Sequence, residues 1–326
     1  MPAASRSPGA LAMRRLRRDR AARASALLFM LLLAAFLAAP LYAELAGTTP
    51  DENHLTDQVV VAGKKEFVVS LDGVPIGPTW QSAYLLGADE NGRDLMVRLL
   101  YGGRTSLLIG AAALALTAAV AVPLALVAGY AGGRTDALVS RVLDVMWSFP
   151  ALLIGFLLAS SINLRGLDLG AVTIEPGSKL VPIAVIGLVY VPYLARPLRG
   201  EVMALRSQHF VEAARSSGMS ATAVMRSELL PHLWTTILVL APLMFANAVV
   251  LESALSFLGA GVPAPEPSFG VLIAAGVRTA VMSPHLLLAP CIALVLVVLS
   301  LGGLAEGVRR ALDPRGGLGV DLVHGQ

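Results

Sequence analysis

Long runs without a charged side chain set the plan of this chain. A helix needs roughly 20 residues to cross about 30 Å of hydrocarbon. Six runs meet or approach that length: 20 residues between Arg23 and Glu44, 29 between Arg104 and Arg134, 20 between Asp144 and Arg165, 16 between Lys179 and Arg196, 23 between Glu228 and Glu252, and 27 between Arg278 and Glu306. The short fourth run ends in Tyr190 and Tyr193, residues suited to a membrane–water boundary. The pattern predicts an all-α integral membrane protein with six transmembrane helices. The first run, preceded by arginines and with small residues near Ala43, also has features of a secretory signal. It is longer than the 7–15 residues of a signal core, so it reads as a retained first helix.

Two polar stretches interrupt the apolar plan. In the first, residues 44–104, Val59–Ala62 and Phe67–Leu71 predict a small hairpin, followed by the turn signals Asp72-Gly73 and Pro75; an irregular loop is the alternative. From Leu95 the pattern turns helical and leads into the second span. The second stretch, 196–231, is helical in composition, punctuated by Gly218 and closed by Pro231. The organisation is therefore a basic start (1–23), a first helix (24–43), an extramembrane segment (44–104), a five-helix core (105–308) and a tail (309–326).

Composition narrows the class. Hydrophobic residues make up 56% and charged residues 14% of the 326, with mean hydropathy +0.72; a soluble domain carries about 25% charged residues. A soluble enzyme and a disordered chain are both excluded. Placing the basic residues gives an orientation. With both termini inside, 17 of the 25 Lys and Arg fall on the cytoplasmic side, seven of them before the first span. Arg93, Arg98 and Arg104 dissent, lying on the outer side near Asp89, Glu90 and Asp94.

Chemistry of the usual kinds does not appear. Gly63-Lys64 lacks the glycine a phosphate loop needs at position 58, which is Gln58. The five histidines form no HExxH, no serine sits in a GxSxG elbow, and the single Cys291, read as an inert buried thiol, excludes an internal disulfide. No cofactor, metal or nucleic-acid partner is expected. Uphill movement of a solute would draw on an ion gradient or a separate ATPase.

The segment FVEAARSSGMSATAVMRSELLP at 210–231 carries the strongest local signal. Val211–Ser217 reads as a short helix with small residues at Ala213 and Ala214 and with Glu212 in its first turn, where a carboxylate suits the helix dipole. Gly218 supplies a left-handed C′ position, with Met219 folding back onto Ala214. Ser220 caps a second helix over 221–230, and Pro231 opens the next element. Such an elbow could enter a groove on another protein, or serve as an amphipathic connector resting on the bilayer.

EAA followed by glycine and a later Leu-Pro, on the loop before the penultimate span, resembles the EAA loop of ABC-importer permeases. LGADENGRDLMVRLLYGGRTSLLIG (86–110), AGYAGGRTDALVSRVLDVMWSFP (128–150), LESALSFLGAGVPAPEPSFG (251–270) and ALDPR (311–315) are similar to the dipeptide/oligopeptide/nickel permeases, in particular their second, C-type subunit. The resemblance covers about Leu85 to Arg315. It implies the type I importer permease fold in a bacterial inner or plasma membrane. Its implied partners are a second homologous permease, two cytoplasmic ATP-binding subunits and an extracytoplasmic substrate-binding protein. It also implies a non-catalytic subunit whose elbow, around Glu212, Ala213, Ala214, Gly218, Met219 and Pro231, couples to an ATPase. Di- or oligopeptides are the implied solute. A self-sufficient secondary transporter, with Glu252 as its coupling-ion site, is the alternative.

Four polar residues in or near the spans remain. Glu252 reads either as a structural carboxylate where SFLGAG breaks the fifth helix or as a substrate contact; an intramembrane carboxylate is a candidate functional group by default. Asn247 reads as interhelical glue on another face. Arg141 and Asp144, spaced i,i+3, read as an ion pair at the inner mouth of the third span. Ser148 and Pro150 let that helix bend, Gly129, Gly132 and Gly133 bracket a turn, and Met30 faces lipid or packing neighbours.

Overall fold

The computed structural model describes residues 18–312 except positions 62, 169, 171 and 172. Most of the arginine-rich start and the tail beyond 312, with most of ALDPR, lie outside the described residues. Helix α1 (Arg20–Leu37) is the first span, capped by Asp19, whose carboxylate accepts from the Ala21 and Ala22 N–H groups. Helix α2 (Ala39–Ala46) prolongs it and stops at Gly47, φ 70°. Strands β1 (Gln58–Val61) and β2 (Lys64–Phe67) form the predicted hairpin, with Val61 opposite Lys64. Its second strand comes earlier than Phe67–Leu71. Gly63, at φ 81°, turns the chain back at once, and Ser70–Val74 closes a separate turn through the Ser70 hydroxyl.

Helix α3 (Leu95–Ala131) has 37 residues, capped by Asp94. At 1.5 Å per residue it runs about 55 Å, well beyond a bilayer. It is the hub of the fold and packs against the first, fourth, fifth and last spans and the first half of the third. Gly132 and Gly133, φ 66° and 55°, end it and start α4 (Gly133–Trp147). The third span departs from expectation. Ser148–Pro150 does more than bend the helix: α4 meets α5 (Ala151–Arg165) at 89°. Only α5 is free of internal charge, while α4 is amphipathic. Strands β3 (Leu167–Asp168) and β4 (Thr173–Ile174) follow as a minimal antiparallel pair. Helices α6 (Leu180–Val189) and α7 (Val191–Leu205) make one 26-residue span jogged at Tyr190 ahead of Pro192.

Helix α8 (His209–Ser216) is the first limb of the elbow. The second limb was expected to end before Pro231. Instead α9 (Ala221–Ala223), a π-helical stretch (Val224–Leu229) and α10 (Leu230–Phe257) run on as one 37-residue helical span. Proline costs a helix one N–H donor and crowds the preceding turn. Here the wider π turn, in which Leu230 N–H reaches Met225 O, takes up the change of register. A short helix α11 (Phe269–Arg278) and the last span α12 (His285–Leu312) complete the described chain. Among the described residues, five helices are long and apolar enough to cross a membrane, six when α4–α5 counts as one broken span.

Packing is close where glycines permit it. A Cβ at Gly129 would lie 2.7 Å from that of Val202, so α3 and α7 cross nearly backbone to backbone. At Gly187 the same close approach lets Thr117 donate to the Gly187 carbonyl at 2.8 Å. Leu27, Met30 and Leu31 on α1, Leu238 and Leu243 on α10, and Leu288, Ile292, Val295 and Leu299 on α12 are all exposed. Apolar surface of that extent is unstable in water and suits lipid. Cys291 is half-buried in α12 rather than enclosed.

Candidate coupling elbow and buried polar clasps

The elbow is built as its local sequence dictates. Gly218 sits at φ 83°. Met219 N–H reaches Ala214 O at 3.1 Å and Gly218 N–H reaches Arg215 O at 3.0 Å, the two bonds of a Schellman cap. The Ser220 hydroxyl caps the next limb, accepting from Ala223 N–H at 3.3 Å. Ala213 and Ala214 do not share one small face. Ala214, with Val211, is buried against Val224 and Leu229, whereas Ala213, Glu212 and Gly218 are exposed. The reason is angular: adjacent helical residues diverge by about 100°, so only Val211 and Ala214, three apart, point inward together. Glu212 lies 3.6 Å from His209. Pro231 is exposed in the first turn of α10.

The elbow is braced from behind. Arg215 lies over the Tyr130 ring, 4.6 Å from its centre, and donates to the Tyr130 hydroxyl at 3.1 Å. Phe210 stacks on His232 at 5.0 Å. Arg206 donates to Gly129 O at 3.0 Å. Arg215 and Phe210 tie α8 to the C-terminal part of α3 and the first turn of α10, and Arg206 ties the end of α7 to α3.

A second set of ionic contacts joins α4 to α7. Arg199 makes a forked pair with Asp136 through Nε and a terminal guanidinium nitrogen. Asp144 pairs with Arg196, not with Arg141 as the i,i+3 spacing suggests. Arg196 is drawn there because its guanidinium also lies over the Trp147 ring at 4.5 Å, and Trp147 stacks on Tyr193.

Glu252 is fully buried. The Ser256 hydroxyl donates to it at 2.7 Å, and the hydroxyls of Ser253, Ser106 and Ser268 complete its surroundings. Each of three serines also accepts a backbone N–H: Ser256 from Val262, Ser106 from Phe269, and Ser268 from Val271. One carboxyl thus organises hydroxyls from α3, α10 and the start of α11 and fixes both ends of the 258–268 loop. These contacts lie where the fifth helix breaks, as the structural reading of Glu252 requires. Asn247, five residues earlier and so about 140° around the helix, is exposed; its main-chain carbonyl, not its amide, accepts the Tyr190 hydroxyl at 3.1 Å.

The arginines that dissent from the charge count form a third clasp. Arg98 is 2% exposed and donates to Pro50 O at 2.6 Å and Pro265 O at 3.1 Å, with Asp89 3.4 Å away. Arg93 pairs with Asp89 at 2.8 Å. Two of the three arginines that dissent from the charge-based orientation are therefore committed to local carboxylates and carbonyls. Lys179 adds a pair to Glu266 on the same loop. Sequence spacing did not point to Ser106, Ser268 or Arg98 as partners, because each acts across the fold; only Ser256, four residues after Glu252, lay within helical reach.

The fold and its clasps describe a multi-span helical membrane protein with a braced elbow on one side and a clasped loop on the other. Residues 121–316 match the family model described as binding-protein-dependent transport system inner membrane component. The oligopeptide transport system permease protein OppC of Haemophilus influenzae is 34% identical over 238 residues, covering 73% of this chain and 72% of that protein. A putative peptide transport system permease protein of Brucella abortus is 31% identical over 315 residues, 97% of this chain and 95% of its own length. Among solved structures, the inward-facing MetNI methionine ABC transporter aligns with TM-score 0.53 at 16% identity, over 67% of this chain and 98% of that one. The chain belongs to the family of inner membrane components of binding-protein-dependent transport systems, non-catalytic permease subunits with the type I ABC importer fold.

Proposed function

We propose that this chain forms half of the transmembrane pathway of an ATP-driven importer of di- or oligopeptides. A second homologous permease forms the other half, two cytoplasmic ATPase subunits supply the energy, and an extracytoplasmic binding protein delivers the solute. Both termini and the elbow lie in the cytoplasm. The solute class rests on the names of the relatives, which are peptide permeases. The observation that carries the coupling role is the elbow itself: its outward surface of Glu212, Ala213 and Gly218 is exposed, while its inward surface is bolted to α3 and α10. A seat so built transmits displacement instead of absorbing it. Each permease state offers the ATPases different contacts there, which is what coupling requires.

The test uses the assembled complex in proteoliposomes. A Glu212→Ala change removes a charge-assisted contact worth roughly 1.5–3 kcal/mol. Gly218→Val forces a β-branched residue to positive φ, at a cost of about 1–3 kcal/mol; a Cβ there meets nothing within 4 Å, so the effect is backbone strain alone. Both variants should insert normally, retain ATPase subunits weakly, lose most peptide uptake, and lose stimulation of ATP hydrolysis by loaded binding protein. Wild-type uptake and full stimulation in both would reduce the elbow to a connector. The secondary-transporter alternative is disfavoured because Glu252 is enclosed by serines; uptake by the isolated chain on an ion gradient would revive it.

A further inference from the structure

Trp80 is 79% exposed and has φ 59°, a backbone region that bulky residues rarely enter. Four residues on, Tyr84 has φ 57°. The loop carrying both is firmly held. The Thr79 hydroxyl donates to Ala83 O and Tyr84 O, at 3.0 and 2.9 Å, and accepts Gln81 N–H. The Gln81 amide reaches Val60 O at 2.8 Å, and Tyr84 N–H reaches Asp94 at 2.6 Å. Strain persists only where surroundings over-determine it, and it marks functional positions. Here a rigid, strained loop holds an indole outward.

The loop's height in the membrane can be read from the first span. The Tyr42 hydroxyl donates to Ser82 O at 3.0 Å. Tyr42 lies nineteen residues after Arg23, the last charge before the apolar run, and two before Glu44, the first charge after it. Backbone bonds Ala38 N–H to Ala34 O and Tyr42 N–H to Ala38 O carry the helix across its break. Nineteen steps of 1.5 Å come to roughly 28 Å, the thickness of the hydrocarbon layer. Leu37, Leu41 and Leu45, one helical turn apart, are 60–70% exposed, so lipid reaches that level. Tyr42 therefore sits at the interface, and its bond fixes Ser82, two residues from Trp80, at the same depth.

We propose that Trp80 is a lipid anchor: the 79–84 loop docks the extramembrane segment onto the interfacial zone of the leaflet at the far end of the first span. An indole, apolar with one N–H donor, suits the interfacial zone better than either water or hydrocarbon. Anchoring there would set the height of the 44–94 segment above the pore mouth. The proposal rests on the first span's boundaries and not on the coupling reading, so the two fail separately.

The complete complex, grown with 5-fluorotryptophan and placed in nanodiscs, shows the resonances of Trp80, Trp147 and Trp234 among those of its other subunits. Trp80→Phe removes one resonance and so assigns it; if that variant does not assemble, Trp80→Tyr does the same. Phospholipid bearing a nitroxide near its headgroup should abolish the Trp80 resonance, and a soluble gadolinium chelate should leave most of it. Loss to the chelate with no effect from the lipid label overturns the proposal. So does insensitivity to both, and so does protection from the chelate that appears only when binding protein is added, which would make Trp80 a protein contact.

Discussion

Replacing Arg98 tests whether its clasp holds two distant segments together. The guanidinium donates to Pro50 O and Pro265 O, 2.6 and 3.1 Å away, so one side chain ties the start of the extramembrane segment to the loop before α11. Hydrogen bonds from a charged group are worth roughly 1.5–3 kcal/mol each, giving about 3–6 kcal/mol for the pair. Two features favour the lower end. Asp89 keeps Arg93 when Arg98 is lost. A cavity of about 530 Å³, lined by Arg98, Asp89 and Pro265, admits water to the freed carbonyls. A loss of about 3 kcal/mol corresponds to roughly a hundredfold more frequent local opening, at 1.4 kcal/mol per factor of ten. Hydrogen–deuterium exchange of the reconstituted complex reads this directly. In Arg98→Ala, the amides of Asp57 and Glu266, both bonded within these segments, should exchange faster together by about that factor. Arg98→Lys, whose ammonium lacks the planar fork, should fall between. Acceleration in only one segment, or none, would show that Arg98 does not join them.

Two further outcomes follow from the structure. Glu252→Leu strips the serine hydroxyls of their shared acceptor while Glu252→Gln keeps one carbonyl oxygen, so thermal stability of the purified complex should fall in the order wild type, Gln, Leu; equal stability would mean that the serines find other partners without cost. Cysteines placed at Asn53 and Ser217 in a Cys291→Ser background, both at exposed positions, should label with an impermeant thiol reagent from outside and from inside respectively, and the reverse pattern would overturn the orientation and the elbow's cytoplasmic position.

What the sequence made legible was local. Gly218-Met219 after a short helix specifies a Schellman cap within six residues, and Ser220 specifies the next cap. Both are in place because nothing distant competes with them. The spans were legible because hydrocarbon imposes one length on all of them. The third was the exception: Pro150 forbids a straight helix, but the 89° turn depends on α4 lying across α7 through Asp136–Arg199 and Asp144–Arg196. Those partners are 63 and 52 residues apart, beyond any spacing rule, whereas the Arg141–Asp144 pair that a spacing rule does offer is not the one formed. The Glu252 clasp was half legible for the same reason: its carboxylate stood out in an apolar run, but Ser106 and Ser268 look like any other serines until α3 and α11 pack against it.

For the coupling proposed above, Pro231 matters because it does not break the helix. A break there would have hinged the elbow to the fifth span, and movement at α8 would have dissipated in the hinge. The π stretch at Val224–Leu229 keeps Ala221–Phe257 in one piece. From Ala221 to Glu252 is thirty-one residues, about 47 Å of helix at 1.5 Å each. One end adjoins the exposed elbow, and the other reaches the serine clasp that fixes the 258–268 loop. That loop is held again by Arg98 at Pro265 and by Lys179 at Glu266. If ATPase closure displaces α8, a continuous helix carries the displacement to the opposite face with little loss, and the clasps make the outer loop follow as a body. Polar clasps suit this use better than apolar packing, because hydrogen-bond direction fixes orientation as well as distance. If the coupling proposed above holds, Glu252, enclosed by its serines, is suited to be a joint in the displaced part.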